Sequence, residues 1–299
     1  MSSDRLYLAG RTALVTGAGQ GLGRAEALAL SAAGARVVVN DYDGDTAASV
    51  VKEIEAAGGE AVAAQGNVAE WATAESLVRT AVDAFGSLDV LVNNAGILRD
   101  RMIFNISEEE WDSVLAVHLK GHAAMTHFAT AHWREQSKAA GAAVYARVVN
   151  TSSEAFLFGS GGQPNYAAAK SGIVALTVAT AKSCSRYGVL ANAICPRART
   201  QMTAGVFGEA PAGQPDPLSP DHVAPLVAYL ASPAAERITA QVFVVYGGMV
   251  VHVSPPAVAQ RWDAAGGSWS ADDLDATLGD YFAGRDMEQG YSADAFMTL

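Results

Sequence analysis

Short runs of β-branched and other apolar residues alternate along this chain with longer segments whose apolar positions recur at a helical period. "TALVTG" (12–17), "ARVVVND" (35–41), "EAVAAQGNV" (60–68) and "LDVLVNNAG" (88–96) are brief, apolar and bounded by Gly, Asn or Asp, which predicts strands. "LGRAEALALSAAG" (22–34), "DTAASVVKEIEAAGG" (45–59) and "AESLVRTAVDAFG" (74–86) predict helices that stop at glycine. The rhythm continues with a helix near 107–136, a strand over 146–153, a helix near 164–187 and a strand over 190–196. An irregular piece (197–220), a helix near 221–231 and a last strand over 241–248 follow. This alternation predicts an α/β fold, a Rossmann-type doubly wound parallel sheet in three layers, α/β/α.

Three segments fall outside the rhythm. "SKAAGAAVYA" (137–146) reads as a surface loop inserted before the fifth strand, and "GEAPAGQPDPLSP" (208–220) as a mobile glycine- and proline-rich loop. Residues 1–250 are expected to carry the fold, and 251–299 to form an extension without a further βα unit. Within it, "SADDLDATLGDYF" (270–282) reads as a helix with Ser270 and Asp273 as a capping box and Leu274, Leu278 and Tyr281 on one face. Trp262, Trp269, Tyr281 and Phe282 predict docking of the extension, over a pocket or across a subunit boundary.

Composition narrows the setting. The 299 residues are half hydrophobic, enough for a large core. Twenty basic and 31 acidic residues give a net charge of −11, which argues against a general nucleic-acid surface. Cys184 and Cys195 are too few for a disulfide framework and read as free buried thiols. "MSSDRLYLAGR" has no apolar signal core, and no run approaches a membrane span. Asn105-Ile106-Ser107 is then a chance sequon, and a cytoplasmic protein with no membrane partner is expected.

"TGAGQGLG" (16–23) joins the first strand to the first helix. Its glycines at 17, 21 and 23 permit a tight turn and close approach of a pyrophosphate to unpaired N–H groups at the helix N-terminus. Asp41 ends the second strand, 18 positions beyond Gly23, where a carboxylate accepts from a ribose diol and repels a 2′-phosphate. No Lys or Arg occupies 17–23 or 40–46, so NAD is expected over NADP. Asp45 is expected to cap the second helix. Tyr166 and Lys170, in "YAAAK", are spaced to share a helix face.

With "TGAGQGLG", "NNAG" (93–96) and "YAAAK" (166–170) in order, the chain resembles the short-chain dehydrogenase/reductase family over roughly residues 8–250. The resemblance implies that Tyr166 and Lys170 are catalytic and that Ser153, thirteen residues before the tyrosine, assists. A free phenol has a pKa of about 10, and a neighbouring ammonium together with a positive nicotinamide ring lowers it. Tyr166 then exchanges a proton with a substrate alcohol, Ser153 binds the reacting oxygen, and Lys170 holds the nicotinamide ribose. The resemblance also implies cofactor contacts from Gly17, Gln20, Gly21, Leu22, Asp41, Asn67, Val68, Asn93, Ala95, Gly96, Tyr166, Lys170, Pro196 and Thr200, while Asn94 ties strands together.

Two departures from the family pattern stand out. His118, in "VHL", replaces an asparagine that usually holds a proton-relay water, and is expected to take that catalytic role. Arg197 replaces the glycine of a usual "PG" and puts either a cation at the substrate mouth or a surface salt bridge there. His118 and His122 are spaced i, i+4, but no metal site is expected.

"NNAGILRDR", "ISEEEWDSVLAVHLKG", "VVVND" and "GQPNYAAAK" resemble the (3R)-hydroxyacyl-CoA dehydrogenase domain of the peroxisomal multifunctional enzyme. That implies a 3-hydroxyacyl thioester as substrate. Arg99, Arg101, Arg197 and Arg199 follow strands and suit its phosphates, or are solvated loop charges. The chain ends "MTL", which is no peroxisomal address, and a stand-alone enzyme is expected. A 3-oxoacyl-carrier-protein reductase and a hydroxysteroid dehydrogenase are the enzymatic alternatives, and a catalytically silent NAD-binding subunit is the alternative of another class. The resemblance further implies a homodimer or homotetramer built on the helices near 107–136 and 164–187.

Overall fold

The computed structural model of the protein describes residues 8–211, 213–264 and 266–285. The N-terminal stretch read for a signal core lies largely outside them, and the terminal "MTL" wholly so. The chain divides into two units, Met1–Val253 and Ser254–Leu299.

The first unit alternates strand and helix as expected. β1 (Thr12–Val15), α1 (Gly21–Ala32), β2 (Arg36–Asp41), α2 (Gly44–Ala56), β3 (Ala61–Gln65), α3 (Trp71–Phe85) and β4 (Val90–Asn93) form its first half. The second half holds α4 (Glu108–Leu115), α5 (Gly121–Ala140), β5 (Ala146–Thr151), α6 (Ala155–Phe158), α7 (Pro164–Cys184), β6 (Val189–Pro196), α8 (Ala204–Phe207), α9 (Ala224–Ala231), β7 (Val242–Tyr246) and β8 (Met249–Val253). The strands form one sheet in the order β3-β2-β1-β4-β5-β6-β7-β8, parallel except for the last pair. The order reverses direction between β1 and β4, and the carboxyl ends of such strands are where open α/β sheets bind ligands.

Both faces of the sheet are covered at its centre, which is why the central strands are apolar runs rather than alternating. Val15, Val37, Val39, Val90 and Val92 face α1, α2 and α9, with Leu30, Ile54 and Val227 buried against them. Leu14, Val38, Leu91 and Val148 face the opposite layer with Leu77, Met125 and Trp133. The Trp133 indole is fully buried and its N–H donates to the Leu88 carbonyl at 2.6 Å.

Four expectations are corrected. β8 was not anticipated: the chain turns at Gly247-Gly248 and runs back beside β7, so the boundary expected after residue 250 falls inside a strand. The segment 137–146 is a surface loop only over 141–145. α5 continues to Ala140, the buried Ser137 donates to the Ala142 carbonyl, and Tyr145 packs with its hydroxyl on the Ala231 carbonyl. Asp43, not Asp45, caps α2, because its carboxylate accepts from the N–H groups of Asp45 and Thr46. The fourth is Asn93, whose side chain serves the interior.

The second unit contains the capping box read at Ser270 and Asp273, which opens α10 (Ala271–Leu274). A π-helical stretch (Asp275–Gly279) leads into α11 (Asp280–Phe282). The Trp262 and Tyr281 rings meet edge to face with centroids 4.8 Å apart.

Candidate active site

The β1–α1 turn is built for close approach. Gly17 and Gly21 have φ of +61° and +54°, the left-handed region that a side chain disfavours. A Cβ on Gly17 would lie 2.8 Å from the Ala95 Cα, and one on Gly23 would lie 2.3 Å from the Gly17 carbonyl oxygen and 2.5 Å from Asn94 Nδ2. The turn, the start of α1 and the segment after β4 therefore meet without side chains between them. Gln20, at the N-cap of α1, makes no side-chain cap bond, so the first-turn N–H groups are not claimed by it. Leu22 packs on the core beneath. Thr200 reaches over the turn, 3.3 Å from where a Gly21 Cβ would stand.

Asn94 ties the ends of β1 and β4 as expected: its Nδ2 donates to the Thr16 and Gly17 carbonyls, each at 3.1 Å. Asn93 departs from expectation. Its side chain is fully buried and donates to Asn150 Oδ1 (2.9 Å) and Thr126 Oγ1 (3.2 Å), which leaves only its backbone to the cofactor side. Asp41 stands at the end of β2, accepting from the Gly19 N–H at 2.9 Å and the Asp43 N–H at 3.1 Å. Asn67 Oδ1 accepts from the Ala69 N–H, and Val68 is buried against Gly121. Pro196 closes β6. These residues form a glycine cradle, an uncapped helix end and a carboxylate at the end of the neighbouring strand, which fits a dinucleotide.

The reacting end lies between β5, α7 and the π-helical turn Ala116–Lys120 that joins α4 to α5. Ser153 follows β5 with its hydroxyl close enough to Tyr166 to pull the phenol pKa down, and it accepts from the Ala155 N–H at 3.3 Å. Tyr166 and Lys170 lie one turn apart on α7, with Nζ 5.3 Å from the phenol ring centroid. Nζ donates to the Thr151 carbonyl at 2.6 Å. Asn165, which the sequence reading passed over, fixes the N-terminus of α7 by donating to the Arg99 and Glu110 carbonyls, each at 3.1 Å. Ser152 Oγ donates to the Lys170 carbonyl at 2.9 Å.

In the protein alone, burial governs the tyrosine–lysine pair. Burial pushes Tyr166 up to about 12, against a downward pull from Ser153, and burial pushes Lys170 down to about 7. Burial dominates both shifts, with smaller contributions from Cys195 to both and from Asp100 to the phenol. His118 is buried, and its ring stands perpendicular to Tyr166 with centroids 5.2 Å apart. Its Nε2 lies 2.8 Å from the Ile97 carbonyl and 3.0 Å from the Ile97 N–H, so it donates to one or accepts from the other according to tautomer. Its Nδ1 is buried without a hydrogen-bond partner. His122 is buried one turn further on; burial and then Lys170 bring it down to about 3. A Cβ on Gly96 would strike His118 Cε1 at 2.4 Å, so Gly96 makes room for this ring. Among the described residues no group of three or more His, Cys, Asp or Glu is arranged to hold a metal ion.

The four arginines read as a possible phosphate cluster are mostly engaged. Arg101 pairs with Glu110 at 3.1 Å, Arg199 with Asp216 at 2.8 Å and Arg197 with Glu154 at 2.5 Å. Arg99 donates to the neighbouring Leu98 carbonyl. A separate surface cleft of about 580 Å³, lined by Arg134, Lys138, Arg186 and Tyr187 among others, includes none of the residues named for the site.

Comparison with known proteins agrees with this geometry. A family model described as short chain dehydrogenase matches residues 11–209. Hydroxyacyl-CoA dehydrogenase ChsB1 of Mycobacterium tuberculosis is 58% identical over 299 residues, covering 97% of this chain and 94% of that protein. Peroxisomal multifunctional enzyme type 2 of Drosophila melanogaster is 42% identical over 244 residues, covering 79% of this chain but 39% of the longer protein. The crystal structure of a short chain dehydrogenase from Mycobacterium avium superposes with a TM-score of 0.86 at 51% identity, covering 96% of this chain and 99% of that one. That of a gluconate 5-dehydrogenase from Burkholderia cenocepacia, in complex with NADP and tartrate, has a TM-score of 0.73 at 28% identity, covering 83% and 98%. None of the described helices is long and apolar enough to cross a membrane.

Proposed function

This chain belongs to the short-chain dehydrogenase family, an oxidoreductase acting on CH–OH groups, and from that premise we propose that it interconverts a 3-hydroxyacyl-CoA and its 3-oxoacyl counterpart with NAD. The observation that carries the chemistry is the placing of Ser153, Tyr166 and Lys170 at one point at the end of β5. The substrate rests on the named activity of the 58% identical relative.

The shape of the cradle supports a cofactor over the β1–α1 turn, with Gly17, Gly21 and the N–H groups of α1 at the pyrophosphate and Asp41 at the adenosine ribose. The nicotinamide supplies the hydride acceptor or donor and, when oxidised, a positive charge near the phenol. Tyr166 exchanges the alcohol proton, and Ser153 orients the reacting oxygen. Lys170 supports the phenolate once that charge develops. NAD is preferred because Asp41 repels a 2′-phosphate. Arg99 is the cation of the four left to meet a phosphate of the acyl carrier.

The same reading places the enzyme in a reducing cytoplasm, in keeping with Cys184 and Cys195 as free thiols. It also makes it a homodimer or homotetramer through α4, α5 and α7. The outward face of α7 carries Ala168, Ser171, Ala175 and Ala179, small enough for a neighbouring helix to approach closely.

The test is cofactor absorbance with the purified protein, NAD or NADP, and a panel of (3R)- and (3S)-hydroxyacyl-CoA, a hydroxysteroid and a plain secondary alcohol. Turnover of the (3R) thioester with NAD is expected, and Tyr166→Phe should abolish it while NADH binding persists. Turnover of the steroid alone would sink the substrate reading, and turnover with NADP alone would sink the reading of Asp41.

A further inference from the structure

Arg197 stands where the family usually has glycine, and the structure gives its side chain a definite task. Its Nε lies 2.5 Å from Glu154 Oε2 and its Nη2 lies 2.7 Å from Oε1, a two-pronged pair. The two side chains are 19% and 9% exposed, so water competes little for either. The guanidinium also lies 5.1 Å from the Tyr246 ring centroid and hydrogen-bonds that residue's side chain. Its backbone N–H donates to the Val245 carbonyl at 3.0 Å. Arg197 is thus fixed to the end of β7 and grips the residue immediately after Ser153.

The segment carrying Ser153 needs such a grip. β5 ends at Thr151, and the next helix, α6, has only four residues, too few to hold itself in place. On one side of Ser153, Ser152 is anchored by its N–H to the Ile194 carbonyl at 2.7 Å and by its hydroxyl to the Lys170 carbonyl. On the other side, the anchor is Glu154, held by Arg197.

We propose that the Arg197–Glu154 pair, braced on Tyr246, positions Ser153 for the reaction. It is a positioning device that touches neither substrate nor cofactor. It rests on the reading of Ser153 as the residue that orients the reacting oxygen. It also means that the Arg197 guanidinium is not the group that meets the phosphates of an acyl carrier.

The experiment is a double-mutant cycle of Glu154→Gln with Ser153→Ala, and of Arg197→Lys with Ser153→Ala. Each variant is assayed on whichever alcohol of the panel the wild type turns over, with NADH binding followed by fluorescence. Displacing a reacting group by about 1 Å costs on the order of 100-fold, so each clamp variant should lose about 10- to 100-fold in kcat. KM and NADH affinity should change by less than about threefold, since the pyrophosphate cradle and Asp41 lie on β1 and β2 and the Arg197 backbone stays anchored to Val245. Adding Ser153→Ala to either clamp variant should cost much less than it costs the wild type, because the serine is already out of place. Arg197→Lys keeps the charge and loses only the fork, so it reports on the clamp even where Glu154→Gln fails to fold.

Full additivity of the two losses, or clamp variants within about twofold of wild type beside an inactive Ser153→Ala, would overturn the positioning role and leave the site reading standing. A fully active Ser153→Ala would overturn both, since nothing would then remain to be positioned.

Discussion

Glu26 offers a sharp quantitative test of the burial on which the cofactor-binding layer is built. It lies in α1, the helix whose N-terminus faces the glycine cradle, and is completely buried with neither carboxylate oxygen hydrogen-bonded. Burial alone pushes its pKa from 4.5 up to about 8. The folded state therefore binds this proton more tightly than the unfolded chain does. Below pH 4.5 both states are protonated and the group is neutral in the balance. As pH rises from there towards 8, the unfolded chain gains by ionising and the folded state does not. At about 1.4 kcal/mol per pH unit, the wild type loses about 2 kcal/mol by pH 6 and about 4 kcal/mol by pH 8 relative to a residue that cannot ionise. Glu26→Gln has the same shape and equally few partners, so it isolates this term. Urea melts of both proteins at pH 6 and pH 8 should show the variant more stable at each, with the difference about 2 kcal/mol larger at pH 8. A difference that does not change with pH would mean that Glu26 is ionised in the folded protein and has a partner or water beside it, and the reasoning would fail.

Lys170 gives the complementary case: its folded pKa is depressed from 10.5 to about 7, so its contribution to stability is lost as pH falls through that window. Lys170→Met should abolish turnover yet raise stability at pH 7 by about 2–4 kcal/mol, after allowing about 1 kcal/mol for the lost bond to Thr151, with the gain shrinking towards pH 10 in chemical melts. Gly23→Ala places a methyl group 2.3 Å from the Gly17 carbonyl oxygen. It should cost about 1–3 kcal/mol in stability and weaken NADH binding by tenfold or more in a fluorescence titration, and unchanged affinity would show that the turn does not seat the cofactor.

What could be read from the sequence is what depends on neighbours in the chain. Strand and helix periods, the glycine turn, the four-residue spacing of Tyr166 and Lys170, and the Ser270–Asp273 capping box are all local, and each reappears in the structure. The errors share a different physics. β8 was missed because its residues alternate between partial burial and exposure along an edge, a weaker signal than the continuous apolar runs of the central strands. Asn93 and Asn94 are adjacent and chemically identical; only the pleat, which turns one inward to Asn150 and the other towards Thr16, separates a core residue from a tie between strands.

The electrostatics of the site were the least legible part, because they are set by residues far apart in the chain. Glu154 and Arg197 are 43 positions apart, and Arg199 and Asp216 are 17 apart, so nothing in the spacing announced that these cations were already paired. The lysine beside the tyrosine was read as a positive charge because Lys is ordinarily charged at neutral pH. In the fold it shares its enclosure with His118 and His122, and burial brings it to about 7 while the phenol rises to about 12. Both shifts disfavour the charged forms, so the resting site holds its acid and its base near neutrality. A positive charge arriving beside the phenol reverses the balance at Tyr166, and Lys170 then gains from becoming the counter-charge of the phenolate it faces. Motif matching supplies the identity of these two residues, whereas the enclosure that makes their protonation depend on each other comes from β5, α7 and the π-helical turn closing around them.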